Sequence, residues 1–133
     1  MSLDLYQKEL LRLAGDARRA GRLTPPCCSG RETNPMCGDS VTIDLRIEDG
    51  RVTDASHDVK GCILVQAAAS LICEEVVGRP PAVVGEIRDK VAAMLEGGNP
   101  PSERWAAFSP ATAYRSRHTC VLLPLEAAKK AAA

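Results

Sequence analysis

The sequence predicts an α+β fold in which a small antiparallel sheet packs against several helices. Val41, Ile43, Leu45 and Ile47 alternate with Thr42, Asp44, Arg46 and Glu48, the period of a half-buried strand. Asp49-Gly50 follows as a hairpin turn, so residues 51–58 return antiparallel. On both sides of this hairpin the apolar spacing changes to three and four residues, the period of helices. At 133 residues the chain can bury one core, and residues 1–133 are read as a single domain.

In chain order, Leu3, Tyr6, Leu10, Leu13 and Ala17 lie opposite Lys8, Arg12 and Arg19, predicting an amphipathic helix over 3–20. Ser2 is its cap and Gly21 its stop. Residues 22–33, with Pro25-Pro26 and Cys27-Cys28, read as a loop. Adjacent cysteines do not readily close a relaxed disulfide with each other, so these two read as loop thiols. Next comes Asn34-Pro35-Met36-Cys37-Gly38-Asp39. Pro35 fixes its own φ and keeps Asn34 extended, while Gly38 permits a turn that a Cβ would resist. Residues two apart in such a loop can converge, so Cys37 and Asp39 can offer sulfur and oxygen to one metal ion. The same residue types also make ordinary turns, and no C-x-x-C pair accompanies them.

Beyond the hairpin, residues 62–77 are apolar nearly all round and predict a core helix ended by Gly78 and Pro80. Cys62 opens it, at a helix N-terminus that suits an anionic ligand such as a thiolate. Cys73 sits in its middle as a small buried hydrophobe, and a lone strand histidine such as His57 is read as packing or surface rather than ligand. Val83, Ile87, Val91 and Met94 predict a helix over 82–96, closed by Gly97-Gly98. Ser102 caps a short turn whose Trp105 and Phe108 anchor it to the core. Because Pro124 is best tolerated in a first turn, the last helix is expected to begin near Val121–Leu123 and to run to Lys129 and Lys130. That places Cys120 at or just before a helix N-terminus.

Seventeen acidic and seventeen basic residues cancel, which argues against a nucleic-acid or membrane-surface binder. Five basic residues and one acidic residue between 104 and 133 give that end +4, leaving −4 on residues 1–103. Six cysteines fall short of a disulfide scaffold, and Lys8, Glu9 and Arg12 interrupt the first apolar run, so no signal peptide is read. A reducing cytoplasm is the expected compartment, where unpaired cysteines point to metal or sulfur chemistry.

Three cysteine motifs stand in order: Asn34-Pro35-Met36-Cys37-Gly38-Asp39; Gly61-Cys62 opening an Ala/Ser-rich helix (Ala67, Ala69, Ser70); and Arg117-His118-Thr119-Cys120 followed by Leu123-Pro124. Together they resemble the IscU/NifU/SufU family of iron–sulfur cluster assembly proteins, from Leu5-Tyr6 to about Ala128. The resemblance implies a SufE/NifU-like fold of about three strands, with a short strand near residues 22–33. It implies a metal site of Cys37, Asp39, Cys62 and Cys120. Four such ligands suit tetrahedral zinc at rest, and the same set suits a transient 2Fe–2S cluster. With a divalent ion the formal charge is −2, which Arg117 is placed to balance.

Two departures point to the SufU subtype. Thr119, not histidine, precedes Cys120, and Tyr114-Arg115-Ser116-Arg117 stands where IscU-type members carry a chaperone motif. The family's Gly-x-Gly-Cys is here Val59-Lys60-Gly61-Cys62. The implied function is a sulfur carrier, rather than a conventional enzyme, that accepts persulfide from a PLP-dependent cysteine desulfurase. Cys37 or Cys120 is the acceptor, and downstream assembly factors or apoproteins receive the product. A 2Fe–2S scaffold of IscU type is the first alternative. A structural-zinc interaction module is the second, and it requires a closed site whose metal holds the fold.

Overall fold

The structure, a computed structural model, describes residues 3–25, 28–36 and 38–133, with side chains in the first helix from Gln7 onward. The described residues form three strands, β1 (Cys28–Asn34), β2 (Asp39–Glu48) and β3 (Arg51–Lys60), in one antiparallel sheet of order β1-β2-β3. The helices are α1 (Leu3–Ala14), α2 (Ile63–Val76), α3 (Val83–Leu95), a single turn α4 (Glu103–Ala106) and α5 (Arg115–Ala132). A 3₁₀ turn over Ser109–Ala113 leads into α5. The architecture is the expected α+β.

The hairpin forms as its pattern dictates. Asp49 (φ 53°) and Gly50 (φ 76°) both take the left-handed conformation that a tight two-residue turn requires. Val41, Ile43 and Leu45 are fully buried on one face, paired across the ladder with Val59, His57 and Ala55. On that face α5 lies across β1 and β2, and α2 lies across β3. Trp105 and Phe108 are buried with ring centroids 5.2 Å apart. The Ser102 hydroxyl accepts the Trp105 backbone N–H, and the indole N–H donates to Glu75, so these aromatics anchor the turn as expected. Cys73 is fully buried in α2, where desolvation pushes its thiol up to about 12, and it serves as an apolar filler.

Three boundaries differ from the sequence reading. The first helix ends at Ala14, not near residue 20. Asp16 accepts the Arg18 backbone N–H at 3.1 Å and grips the Arg18 guanidinium, a local closure that competes with a further helical turn. Ala17 is therefore exposed, while the connector runs along the outer edge of β3: His57 N–H donates to Arg19 O, and Gly21 N–H donates to His57 O. The side chains of Leu3 and Tyr6 and the Ser2 cap lie outside the described residues.

Second, residues 28–33 are strand, not loop, and the short strand implied by the family resemblance is present. Its buried side carries almost no apolar residue because helix backbone sits there. A Cβ on Gly30 would stand 2.0 Å from Ala127 O and 2.5 Å from Ala131 N. Third, α5 begins at Arg115, and Pro124 sits in its interior. An interior proline withdraws a backbone donor, a cost of about 3 kcal/mol. The helix continues because Val121, Leu123, Leu125, Ala127 and Ala128 are all buried around it. Cys120 thus belongs to the second turn of α5 and not to its N-terminus.

The Gly30 contact sets a sharp test. Gly30→Ala drives a Cβ into helix backbone and is expected to lower unfolding free energy by about 3 kcal/mol or more in urea titrations. Gly85→Ala, with nothing within 4 Å of the new Cβ, is expected to gain about 0.5–1 kcal/mol in α3. Equal effects at the two sites would show that α5 does not seat on the strand backbone.

Candidate metal centre

Three chain segments meet at the edge where β2 begins. The first is the turn from β1 to β2. Asn34 ends β1 and pairs with Asp39, which opens β2, and the described residues Pro35, Met36 and Gly38 lie in the turn between the two strands. The Asn34 carboxamide oxygen accepts the Met36 N–H at 3.1 Å, and its carbonyl accepts the Gly38 N–H at 2.8 Å. Gly38, at φ 74°, supplies the conformation the turn needs. Asp39 is thereby fixed by a ladder and not by a free loop.

The second segment is the step from β3 into α2. Gly61 packs against the Asp39 side chain, where a Cβ would lie 3.3 Å from its Cγ and 3.1 Å from Val65 Cβ. Cys62 is the N-cap of α2, extended at φ −72° and ψ 176°, and half-buried. Gln66, one turn further on, donates from its side-chain amide to Gly61 O at 2.8 Å, while its backbone N–H donates to Cys62 O. The third segment is α5, which presents Cys120 from its buried face.

These segments bring a carboxylate oxygen of Asp39 and the sulfurs of Cys62 and Cys120 within 4.8 Å of one another. Tetrahedral zinc–thiolate bonds place donor atoms roughly 3.8 Å apart, so small side-chain adjustments close the set around one ion. Two sulfurs and one oxygen are a donor set that zinc accepts, and a fourth ligand completes it. Cys37, the expected fourth ligand, lies outside the described residues. Arg117 is exposed at the start of α5, and among the described residues its side chain makes no ion pair.

Other candidates stand apart from the cluster. The His118 ring meets Thr112 O at 3.0 Å, and its Nδ1 lies 3.8 Å from a Glu96 carboxylate oxygen, so it serves the base of α5. Cys28 begins β1, about 20 Å of strand away from Asn34. Cys27 lies outside the described residues. The residue that sequence reasoning passed over is Gln66. Its signal was a lone amide in an apolar helix, four residues after the candidate ligand Cys62, where an i+4 side chain reaches back to the preceding turn.

The fold and this Cys/Asp cluster define a domain of the iron–sulfur assembly class. A family model described as NifU-like N terminal domain matches residues 5–113, and the chain belongs to that family. An iron–sulfur cluster assembly scaffold protein IscU of Thermotoga maritima is 30% identical over 95 residues, covering 71% of this chain and 67% of that one. The zinc-dependent sulfurtransferase SufU of Bacillus subtilis is 25% identical over 64 residues, covering 48% of this chain and 44% of its own length. The crystal structure of a nitrogen-fixing NifU-like protein (N-terminal) from Brucella abortus superposes with a TM-score of 0.86 at 34% identity, over 98% of this chain and 94% of that one. No described helix is long and apolar enough to cross a membrane.

Gln66 holds the backbone beside Cys62, one of the three candidate ligands, and is not itself in the cluster. Gln66→Leu keeps helix propensity and volume, so the fold should survive while metal affinity falls about tenfold or more, the usual cost of losing a group that orients a ligand. Competition with a chromophoric chelator reads this directly. Unchanged affinity would leave Gln66 with no part in shaping the centre.

Proposed function

We propose that this chain is an iron–sulfur cluster assembly protein whose Cys37, Asp39, Cys62 and Cys120 form one metal centre. Zinc is held at rest, and persulfide sulfur is accepted from a PLP-dependent cysteine desulfurase. The observation that carries this reading is the convergence of Asp39, Cys62 and Cys120 within 4.8 Å in a chain of the NifU-like family. The zinc-dependent relative in Bacillus subtilis and Thr119 in front of Cys120 favour sulfur transfer over other uses of the site.

The roles follow from ligand chemistry. Three thiolates and a carboxylate leave an excess of negative charge on a divalent ion, so one sulfur is readily released. Arg117, three residues before Cys120 on α5, balances that charge. Asp39, the harder and more exchangeable ligand, lets the centre change partners without unfolding. Cys37 lies in the turn between Met36 and Gly38, and its thiolate attacks the outer sulfur of the desulfurase persulfide. That sulfur–sulfur bond breaks, the desulfurase cysteine leaves as a thiolate, and Cys37 carries the persulfide. Met36 and Ile63, each next in sequence to a ligand cysteine, are 90% and 47% exposed and offer an apolar rim for the partner. Such an open rim speaks against a closed, purely structural zinc site.

The second reading keeps the same four residues and makes a 2Fe–2S cluster the cargo. It is favoured by the scaffold relative in Thermotoga maritima. Three thiolates with one weaker oxygen ligand suit a cluster built to be handed on. Delivery of such a cluster to an apoprotein, without a sulfur-transfer requirement, would select this reading.

Anaerobically purified protein is expected to carry about one zinc per chain, lowered by Cys37→Ser, Cys62→Ser or Cys120→Ser and unchanged by Cys28→Ser or Cys73→Ser. After incubation with a desulfurase and cysteine, mass spectrometry should find the added sulfur on Cys37. Persulfide on Cys120 alone would move the acceptor role there. Metal loss from the Cys28 or Cys73 variants would overturn the ligand set.

A further inference from the structure

None of the metal ligands lines the polar cavity of about 360 Å³ between the α1–β1 connector, β3 and α2. Its walls are Asp16, Arg18, Arg19, His57, Ser70 and Glu74. A second cavity of about 260 Å³ on the same connector shares Asp16 and His57 with it. Both carboxylates of the larger cavity already have a guanidinium donor. Arg18 covers both Asp16 oxygens through Nε and Nη2, the Ser70 hydroxyl donates to Asp16 O, and Arg104 donates to Glu74 Oε2.

The donors, by contrast, are in surplus. Arg19 uses only Nη1, on Asp54 at 3.0 Å, and Arg18 keeps Nη1 unspent among the described residues. His57 is 8% exposed, and its buried Nε2 has no hydrogen-bond partner. A buried ring nitrogen left this way is costly, and it calls for a partner in the cavity. A space far larger than one water, lined by unspent guanidinium donors and an orphaned imidazole, suits an acceptor-rich occupant.

We propose that this cavity binds a small oxyanion, held by Arg18, Arg19 and His57. The two wall carboxylates are each paired with a guanidinium, Asp16 with Arg18 and Glu74 with Arg104, so Arg18 contributes its Nη1 donor rather than a net charge. Burial holds His57 below its usual pKa, partly offset by Asp16 and Asp58. The charged groups facing the ring are Asp16, Arg18 and Arg19 from the connector, Asp58 from β3 and Glu74 from α2. An anion in the cavity favours the protonated ring, so its affinity rises as pH falls. Because Arg19 and Gly21 pair with the His57 backbone, the bound anion also braces the connector that leads out of α1.

The test is an NMR titration of the His57 ring in the zinc-loaded protein, with sodium phosphate and, in a second arm, sodium malonate, each against sodium chloride at matched ionic strength. We expect a saturable His57 shift with phosphate, with tighter half-saturation at pH 6.0 than at pH 7.5. Arg19→Gln, on the partly exposed connector, should raise half-saturation about tenfold, the loss of one charge-assisted hydrogen bond. Saturation by malonate as well would support the site and extend its ligands to carboxylates. A shift linear in phosphate, matched by chloride, or unchanged in Arg19→Gln would overturn the proposal. His57 is not a member of the metal cluster, and zinc loading is held constant throughout the titration, so failure here leaves the reading of the metal centre standing.

Discussion

The contact on which the arrangement depends is the seat of α5 on the bare backbone of β1 at Gly30. The backbone of Ala127 and Ala131 and the Cβ of Lys130 press there directly on the strand. From that point the helix runs back seven residues, two turns and roughly 10 Å, to Cys120 on the same face. The strand runs forward four residues, roughly 13 Å, to Asn34, and its ladder partner is Asp39. Two rigid elements of similar reach therefore deliver a sulfur and a carboxylate to one place. A looser seat would let α5 slide, and Cys120 would be the residue displaced.

The centre is built on caps and ladder ends. Asp39 opens a strand, Cys62 caps a helix and Cys120 rides on a helix packed into the core. Such positions hold ligands more firmly than loops do. In the proposed chemistry these three would hold the metal in place while Cys37, next in sequence to Met36 and Gly38, meets the partner. On the far side of the sheet Asp44 performs a purely structural version of the same task. Burial alone would raise its pKa, but Arg22, Ser29 and the Leu23 N–H together hold it below the ordinary value. That carboxylate ties residues 22–23 to β2.

The hairpin, α2 and α3 were legible because side chains carry their periodicity, and the three cysteine motifs were legible as strings. β1 was not legible from its own composition, because its buried side is Gly30 against helix backbone and leaves no apolar pattern to read. The start of α5 was hidden by Pro124, whose usual place in a first turn was overridden by the burial of Val121, Leu123, Leu125, Ala127 and Ala128 around it. The end of α1 turned on Asp16, which satisfies the Arg18 N–H locally and stops the helix short of its apolar pattern. Gln66 is a different case. Its spacing from Cys62 was there to read, but its reach to Gly61 depends on where the strand-to-helix step brings that carbonyl.

The central claim is that sulfur and oxygen from three separated segments, joined by the Cys37 turn, bind one metal ion. X-ray absorption at the zinc edge of the loaded protein measures this most directly. The account predicts about three sulfur neighbours near 2.3 Å and one oxygen near 2.0 Å. A shell of nitrogen and oxygen alone, or one with no more than a single sulfur, would contradict it.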